Sequence, residues 1–532
     1  MSKRERRPVT PPVSVPKPAS PYAAPPVPEP TFWFGFEVSW AKLAVTRVVL
    51  FGLLALDALL QIRHAPRYGA GNFNVGQLPG LDWLGASRGA YEVAQLANAY
   101  LFVLVACGVA VRLALPIATV SYAWLYFGSQ LDAYQHHYLV ALVLALACCV
   151  PWQRPDAATA ATRVRSWALR LILVQLAIMY LWAAISKLTP AWLDGRTLGS
   201  QIFGPTRTLI DATVGVALAS KLIPLAEFAL AATVWRPQTW RFAAPVGIAF
   251  HLGIAFTNLD IGLFAWLMIA MYALVVPDRV WLWLAELAPS RAFGRAIARI
   301  SERCDRAPVR WLLLGGGLVA ATALAGLARF EHAVAAAAVL AIVPIAAAIM
   351  QNRIGRGSLA VIGAATIAAV LVWITVDRTT TVVADYYKNW GGSARRLGDP
   401  MTAEHAYRDL IEVAPDEPTG HYQLGKLLLA RGEGDRGLAE LRRAEDLEPD
   451  RARAYVEEAR WLAMHGHKQD AIGRLRIGLA VQPDDADARS IYARLTGTAP
   501  PSSRSAHPPG DNAHSPADNA RLPTSDDLDR AP

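Results

Sequence analysis

Charge is scarce in this sequence: 18% of its 532 residues are Asp, Glu, Lys or Arg, against 54% hydrophobic residues. Together with a mean hydropathy of +0.26, that balance excludes a wholly soluble protein and directs the search to membrane spans. Cysteine is scarce too. The four present, Cys107, Cys148, Cys149 and Cys304, lie in apolar runs or in an Arg-rich connector, so no disulfide framework is implied for the polar C-terminal part. Absent altogether are a Gly-rich phosphate loop, a Gly-x-Ser-x-Gly elbow and a His-Glu-x-x-His pair. Nucleotide, hydrolase and zinc-protease readings lose their usual support.

What the sequence has instead is a series of long apolar runs. Between residues 40 and 376 about eleven stretches come near the ~20 residues that a bilayer-spanning helix needs. They fall at about 43–62, 91–111, 114–130, 136–152, 167–188, 217–235, 242–258, 261–277, 311–328, 332–351 and 358–376. The net charge of +9 comes largely from arginines gathered between these runs, which suits the positive-inside rule better than nucleic-acid binding. No nucleic-acid partner is expected. With eleven spans, the basic groups at Lys3–Arg7, Arg154–Arg165, Arg236–Arg241, Arg291–Arg310 and Arg353–Arg356 all fall on the N-terminal side, which the rule makes cytoplasmic. The connectors after Leu131, Lys187, Asn258 and Arg329, and everything beyond Asp377, then lie on the outer face.

The organisation expected is all-α: a polytopic membrane helical bundle followed by a soluble α-solenoid. Residues 1–37 read as a disordered, basic, Pro-rich tail and not a signal peptide, because no short apolar stretch with a small-residue cleavage site follows them. A membrane domain covers 38–285, an Arg-rich cytoplasmic connector 286–309, and three further transmembrane helices 310–377. Beyond them Pro415, Pro449 and Pro483 recur every 34 residues, a period that resembles the tetratricopeptide repeat. Gly391, Gly425 and Ala459 share one small-residue position and Ala403, Gly437 and Ala471 another, so that paired helices can pack closely. Three repeats and a capping helix occupy 384–497, and 498–532 read as a second disordered tail. A concave groove in such a stack binds a peptide or protein partner; the bland alternative is a spacer.

Polar groups inside the spans carry the chemistry, because a charge kept in the bilayer is costly and is paired or used. They are Asp57, Gln135–Tyr138, Lys187, Asp211, Glu227 and His251. Lys187, in "YLWAAISKLTPAWLDG", sits at the outer end of its span, where a lysine can also simply snorkel to the headgroups. Against snorkelling, its helical neighbours Ala184, Ala183 and Tyr180 form a small-residue face suited to helix contact, Pro190 stops the helix, and Trp192 anchors the turn. A short apolar segment at 199–216, with Pro205 inside it, reads as a re-entrant piece lining a cavity. An amine in such a partly dry cavity has its charged form disfavoured and can work as a base. His136 and His137 are adjacent and so point apart on a helix, a geometry that argues against a metal site there; no metal is expected. His251, mid-span, reads equally as a bonded core histidine or a functional one.

As a set, "AAISKLTPAWLDG" (Lys187, Leu188, Trp192, Gly195), "HHYL" (His136 to Leu139), the span with Glu227 and "FHLGIAFTNLDIGLF" (His251, Ile261, Gly262, Phe264) resemble the HTTM superfamily, the transmembrane region shared with vitamin K-dependent gamma-carboxylase. The resemblance covers about residues 35–285. It implies a lysine, here Lys187, that deprotonates a reduced vitamin K-type (menaquinol-like) quinone. Oxygen then yields a stronger base, which takes a proton from a glutamate side chain so that CO2 can add. A histidine implicated in that chemistry corresponds to His136, while Trp192, Asp194, Gly195, Glu227 and His251 form the surrounding pocket. The soluble β-rich domain of the animal enzyme has no counterpart here, and Ser186 stands where that pattern often has a second lysine. Superfamily relatives also include maturation factors for a secreted toxin, so a non-catalytic assembly factor whose repeats recruit a partner stays open. The resemblance implies a bacterial inner-membrane protein.

Overall fold

The computed structural model describes residues 36–68, 77, 80, 82–130, 135–155, 158–202, 204–255, 263–306, 309–325, 382–482 and 485–498. The expected spans at 332–351 and 358–376, and nearly all of the two expected tails, lie outside the described residues.

The chain is mostly helical. It opens on a short strand, Glu37–Ser39, that pairs antiparallel with Arg163–Arg165. Ser39 then caps α1 (Trp40–Gln61), its hydroxyl accepting from the Lys42 N–H and satisfying one of the unpaired donors of the first turn. Next come α2 (Arg88–Cys107), α3 (Val111–Phe127), α4 (Gln135–Ala147), α5 (Trp167–Ser186), α6 (Val216–Thr233), α7 (Trp240–Ala255) and α8 (Phe264–Met271). Gly108 ends α2 in the left-handed conformation, at φ 77°, which a Cβ would disfavour. The principal contacts are α1 with α2, α2 with α3, α3 with α4, α4 with α5 and α5 with α6. A core centred on Leu43, Phe51, Leu101, Phe102, Leu169 and Leu176 fills the space between them.

Four helical segments among the described residues are long and apolar enough to cross a membrane: Trp40–Tyr68, Arg88–Cys107, Trp167–Ser186 and Val216–Thr233. The pair Phe264–Leu274 and Asp278–Glu286, bent by 96°, makes five if it counts as one span. The expected eleven are therefore not reproduced among these residues. The reason is visible at α4: the apolar run at 136–152 folds only to Ala147 before turning through Cys148–Val150. Hydropathy counts the apolar turn together with the helix, although the helix has just 13 residues. The run at 261–277 fails differently, since its helix tightens at Tyr272–Leu274 and the chain turns at Pro277. The stretch expected to be re-entrant forms two short helices, Arg196–Gln201 and Gly204–Thr213.

Basic connectors collect at one end of this bundle. Arg165 donates to Glu37, Arg163 pairs with Asp278, and the Arg-rich helix Ala288–Cys304 reaches the α2–α3 turn through the Ser301 hydroxyl, 2.7 Å from Gly108 O. Lys187 belongs to the opposite end. There the first of seven C-terminal helices, α9 (Val382–Arg396), docks beyond α1 and at the start of α2: Arg63 pairs with Asp385 at 3.2 Å, and the Tyr386 hydroxyl donates to Glu92 at 2.9 Å. The six that follow pack in succession; Pro400 and Pro418 open helices, and Pro415 and Pro449 follow the ends of others, as rigid φ and a missing N–H require. A Cβ on Gly425 would come within 2.9 Å of Gly437 O, so the small residues at these two positions allow a close helix crossing.

Candidate functional site

At the end of α5 the helix stops because Thr189 is extended and Pro190 opens a one-turn helix, Pro190–Leu193. Lys187 itself is the C-cap. Its side chain turns back along α5 and reaches α6: Nζ lies 2.8 Å from Glu227 Oε1, 3.0 Å from Oε2 and 3.1 Å from the Ala183 carbonyl. Glu227 is 3% exposed, whereas the Lys187 side chain keeps 20%. The pair is thus closed on the carboxylate side and open on the amine side. Trp192 completes it, its ring 5.3 Å from Nζ and its indole N–H held by Ser220 O at 2.9 Å.

The turn behind the lysine explains two more residues. Gly195 has φ +88° and a Cβ there would press on Val216 and Ala217 at 3.2–3.3 Å, so glycine both makes the turn and lets it lie against α6. Asp194 accepts from the Arg196 N–H at 3.0 Å and from Arg196 Nε at 2.8 Å, contacts that hold its carboxyl below the usual range. It is exposed, shapes the turn and does not face the amine.

Deeper in the bundle a second polar group continues the site. Tyr180, two turns before Lys187 on α5, places its hydroxyl 2.6 Å from His251 Nε2 and 2.8 Å from the Tyr272 hydroxyl. His251 Nδ1 is buried with no hydrogen-bond partner among the described residues. Tyr272 fits because α7 has Gly247 opposite its ring; a Cβ there would overlap the Tyr272 hydroxyl. Across Phe264 lies the histidine pair: the His136 ring is 5.3 Å from Phe264 and the His251 ring 6.5 Å, and His136 is 4.3 Å from His137. His137 is the more buried of the two and shares a 2.8 Å hydrogen bond with the Tyr122 hydroxyl.

Of the residues singled out in the sequence, Lys187, Glu227 and Trp192 therefore meet directly. His251 bonds Tyr180, two turns before Lys187 on α5, and His136 stands apart behind Phe264. Sequence reasoning missed Tyr122 and Tyr272. A tyrosine in an apolar run carries no sign that its hydroxyl has a buried partner, whereas Tyr180 announced itself by sharing the Lys187 face. Ile261 and Gly262 lie outside the described residues. Among the described residues no three His, Cys, Asp or Glu side chains gather into a group that could hold a metal ion.

The arrangement can do two things chemically. An amine beside a buried carboxylate can pass a proton to it and become a neutral base, and a histidine with a free ring nitrogen can bond a bound polar group. Elsewhere on the same two helices apolar side chains such as Trp182, 64% exposed, and Leu225, 63% exposed, face outward, as suits helices set against lipid. Four to five membrane-length helices among the described residues mark the chain as a membrane protein. No curated protein matches it. Residues 37–281, the stretch that holds Lys187, Glu227, His136 and His251, match the family model of the HTTM domain.

Proposed function

We propose that the protein is a vitamin K-dependent gamma-carboxylase-like membrane enzyme, which carboxylates glutamate in a peptide or protein with a reduced quinone as co-substrate. The observation that carries this reading is the 2.8 Å contact between Lys187 and the buried Glu227, with the amine still 20% exposed. Glu227 takes the extra proton of the ammonium, and the neutral Nζ takes a proton from a hydroxyl placed beside Trp192. His251, oriented by the Tyr180 hydroxyl, offers Nδ1 to a second polar atom of the same ligand. These residues fit a quinol: one base, one hydrogen-bonding ring nitrogen and the ring of Trp192 beside the amine. When bound, a menaquinol-like quinone would, on oxidation by oxygen, supply the strong base that takes the glutamate γ-proton, and CO2 would add to the carbanion left behind. His136, whose ring packs on Phe264, serves as a proton relay.

The C-terminal helices are a tetratricopeptide-like stack that presents the peptide or protein partner. Their docking beside Arg63 and Arg88, on the Lys187 end, supports that role. With the basic connectors cytoplasmic, that end faces the periplasm of a bacterial inner membrane. Membranes given a reduced naphthoquinone, labelled bicarbonate and a Glu-containing peptide test the reading. Incorporation by wild type and its loss in Lys187→Ala support it; incorporation by neither protein, or equally by both, contradicts it.

One observation favours a second reading. Both carboxylate oxygens and a carbonyl occupy the Lys187 ammonium, as in a purely structural buried ion pair. The protein is then a non-catalytic assembly or peptide-maturation factor whose repeats recruit a partner. Full function in cells of a Lys187→Met/Glu227→Leu variant, with loss on deleting residues 384–497, singles out this reading.

A further inference from the structure

The connector expected at residues 286–309 folds as an Arg-rich helix, Ala288–Cys304, at the end of the bundle opposite Lys187. Its chain segment is fastened there at both ends. At the start, Asp278 accepts from the Ser39 hydroxyl at 3.2 Å and pairs with Lys42 at 3.2 Å. At the finish, the Ser301 hydroxyl donates to Gly108 O at 2.7 Å and Asp305 accepts from the Ala110 N–H at 2.8 Å. Gly108 caps Arg88–Cys107, a helix long enough to cross a membrane, so the Arg-rich helix meets the bundle at the edge of the bilayer.

Between these anchors the chain leaves the line of the spans. Asp278–Glu286 is bent by 96° from the apolar helix Phe264–Leu274, so the chain turns from the direction of that helix to run along the bilayer surface. Trp283, 61% exposed, precedes the Arg-rich helix and Trp311, 54% exposed, follows it; tryptophan collects at the boundary of membrane and water. The Arg-rich helix has two faces. Ala296, Ile300 and Cys304, four residues apart, are buried on one, while Arg291 and Arg295 keep the same spacing on another and are exposed. The neighbouring carboxylates are used elsewhere, Glu302 by Arg306 at 3.1 Å and Asp305 by the Ala110 N–H. Among the described residues the side chains of Arg291 and Arg295 have no hydrogen bond or ion pair, so their charge is uncancelled.

We propose that the helix Ala288–Cys304 docks on the membrane surface through the headgroups of anionic phospholipids, with Arg291 and Arg295 as its contacts. Guanidinium groups pair with phosphate oxygens, and a basic helix at this depth meets a layer of them. The surface is independent of the chemistry at Lys187. The full chain is placed in nanodiscs of phosphatidylcholine alone and of an equal mixture of phosphatidylcholine and phosphatidylglycerol, and hydrogen exchange of residues 288–304 is followed. Wild type is compared with Arg291→Gln/Arg295→Gln. Both substitutions fall on the exposed face and leave the contacts of Ala296, Ile300 and Cys304 in place, and unchanged protection of α5 and α6 reports an intact fold.

Exchange in wild type is expected to be about tenfold slower in the mixed discs, since an arginine at an anionic surface contributes about fivefold on its own. The double variant loses most of that difference, and added salt, which screens exposed charges, erases it in wild type. Equal exchange of wild type in the two kinds of disc, or an equal slowing in wild type and double variant, overturns the proposal. Slowing by added polyglutamate in phosphatidylcholine discs, with no effect of phosphatidylglycerol, also overturns it and gives the surface to an acidic protein.

Discussion

Lys187 Nζ sits between the two carboxylate oxygens of Glu227, 2.8 and 3.0 Å away, across the contact of α5 with α6. Removing one partner leaves the other charged and partly buried, so Glu227→Ala is expected to cost about 1–3 kcal/mol, a buried-pair loss reduced for the exposure of the amine. The double variant Lys187→Met/Glu227→Leu is expected to recover most of that stability. A double-mutant cycle of unfolding midpoints in detergent measures the coupling, and additive losses would show that the pair does not interact.

Tyr180→Phe removes the hydroxyl that joins His251 to Tyr272. Two buried polar groups lose their partner, and a loss of about 1–3 kcal/mol is expected by thermal unfolding. An unchanged midpoint would mean that the two groups bond elsewhere.

Gly247→Ala drives a methyl group into the Tyr272 hydroxyl. Overpacking of this kind costs about 1–3 kcal/mol, and Gly247→Ala/Tyr272→Leu, which removes the obstructing ring end, is expected to regain part of it. No regain would place the strain away from Tyr272.

Asp385→Asn weakens the hold of Arg63 on α9, and Glu92→Gln weakens that of the Tyr386 hydroxyl. Hydrogen exchange in residues 382–396 is expected to speed up in the double variant while α5 and α6 keep their protection. Unchanged exchange in 382–396 would show that neither contact secures the helix.

In the C-terminal helices, burial pushes the Glu445 carboxyl up to about 7, against the pull of Arg474. Its folded value is thus above its ordinary one, so its contribution is full at low pH and is lost as pH rises through about 7. Exchange protection of Gly434–Leu447 is expected to fall from about pH 5 to about pH 8 in wild type, and to fall less in Glu445→Gln. A wild-type protection that rises over this range would reverse the assignment.

Hydrophobic runs made much of the helical frame legible. The stretch read at 167–188 folds as Trp167–Ser186, and that at 217–235 as Val216–Thr233. Runs whose turns are themselves apolar defeated the same reading: Cys148 to Val150 extend the α4 run past its helix, and the bend at Pro277 breaks another. In the site, Lys187 and Glu227 stood out because charge inside a span needs a reason, and their pairing gives one. Asp194 was read as a pocket residue from its place in a motif, but its oxygens are used by Arg196 in the turn. Tyr272 stayed hidden because its partner Tyr180 comes from a distant helix, and only the packing at Gly247 brings the two hydroxyls together.

The central claim is that Lys187 acts as a base in a quinol-dependent carboxylation, and the most direct measurement is the rate of bicarbonate-label incorporation into a Glu-containing peptide. Wild type and Lys187→Met, at equal folded amounts and with a reduced naphthoquinone, are the two arms. A quinone-dependent rate in wild type that falls by about 10²–10⁴-fold in Lys187→Met is the expected result for loss of a general base. Equal rates in the two proteins, or no incorporation by wild type, would contradict the account.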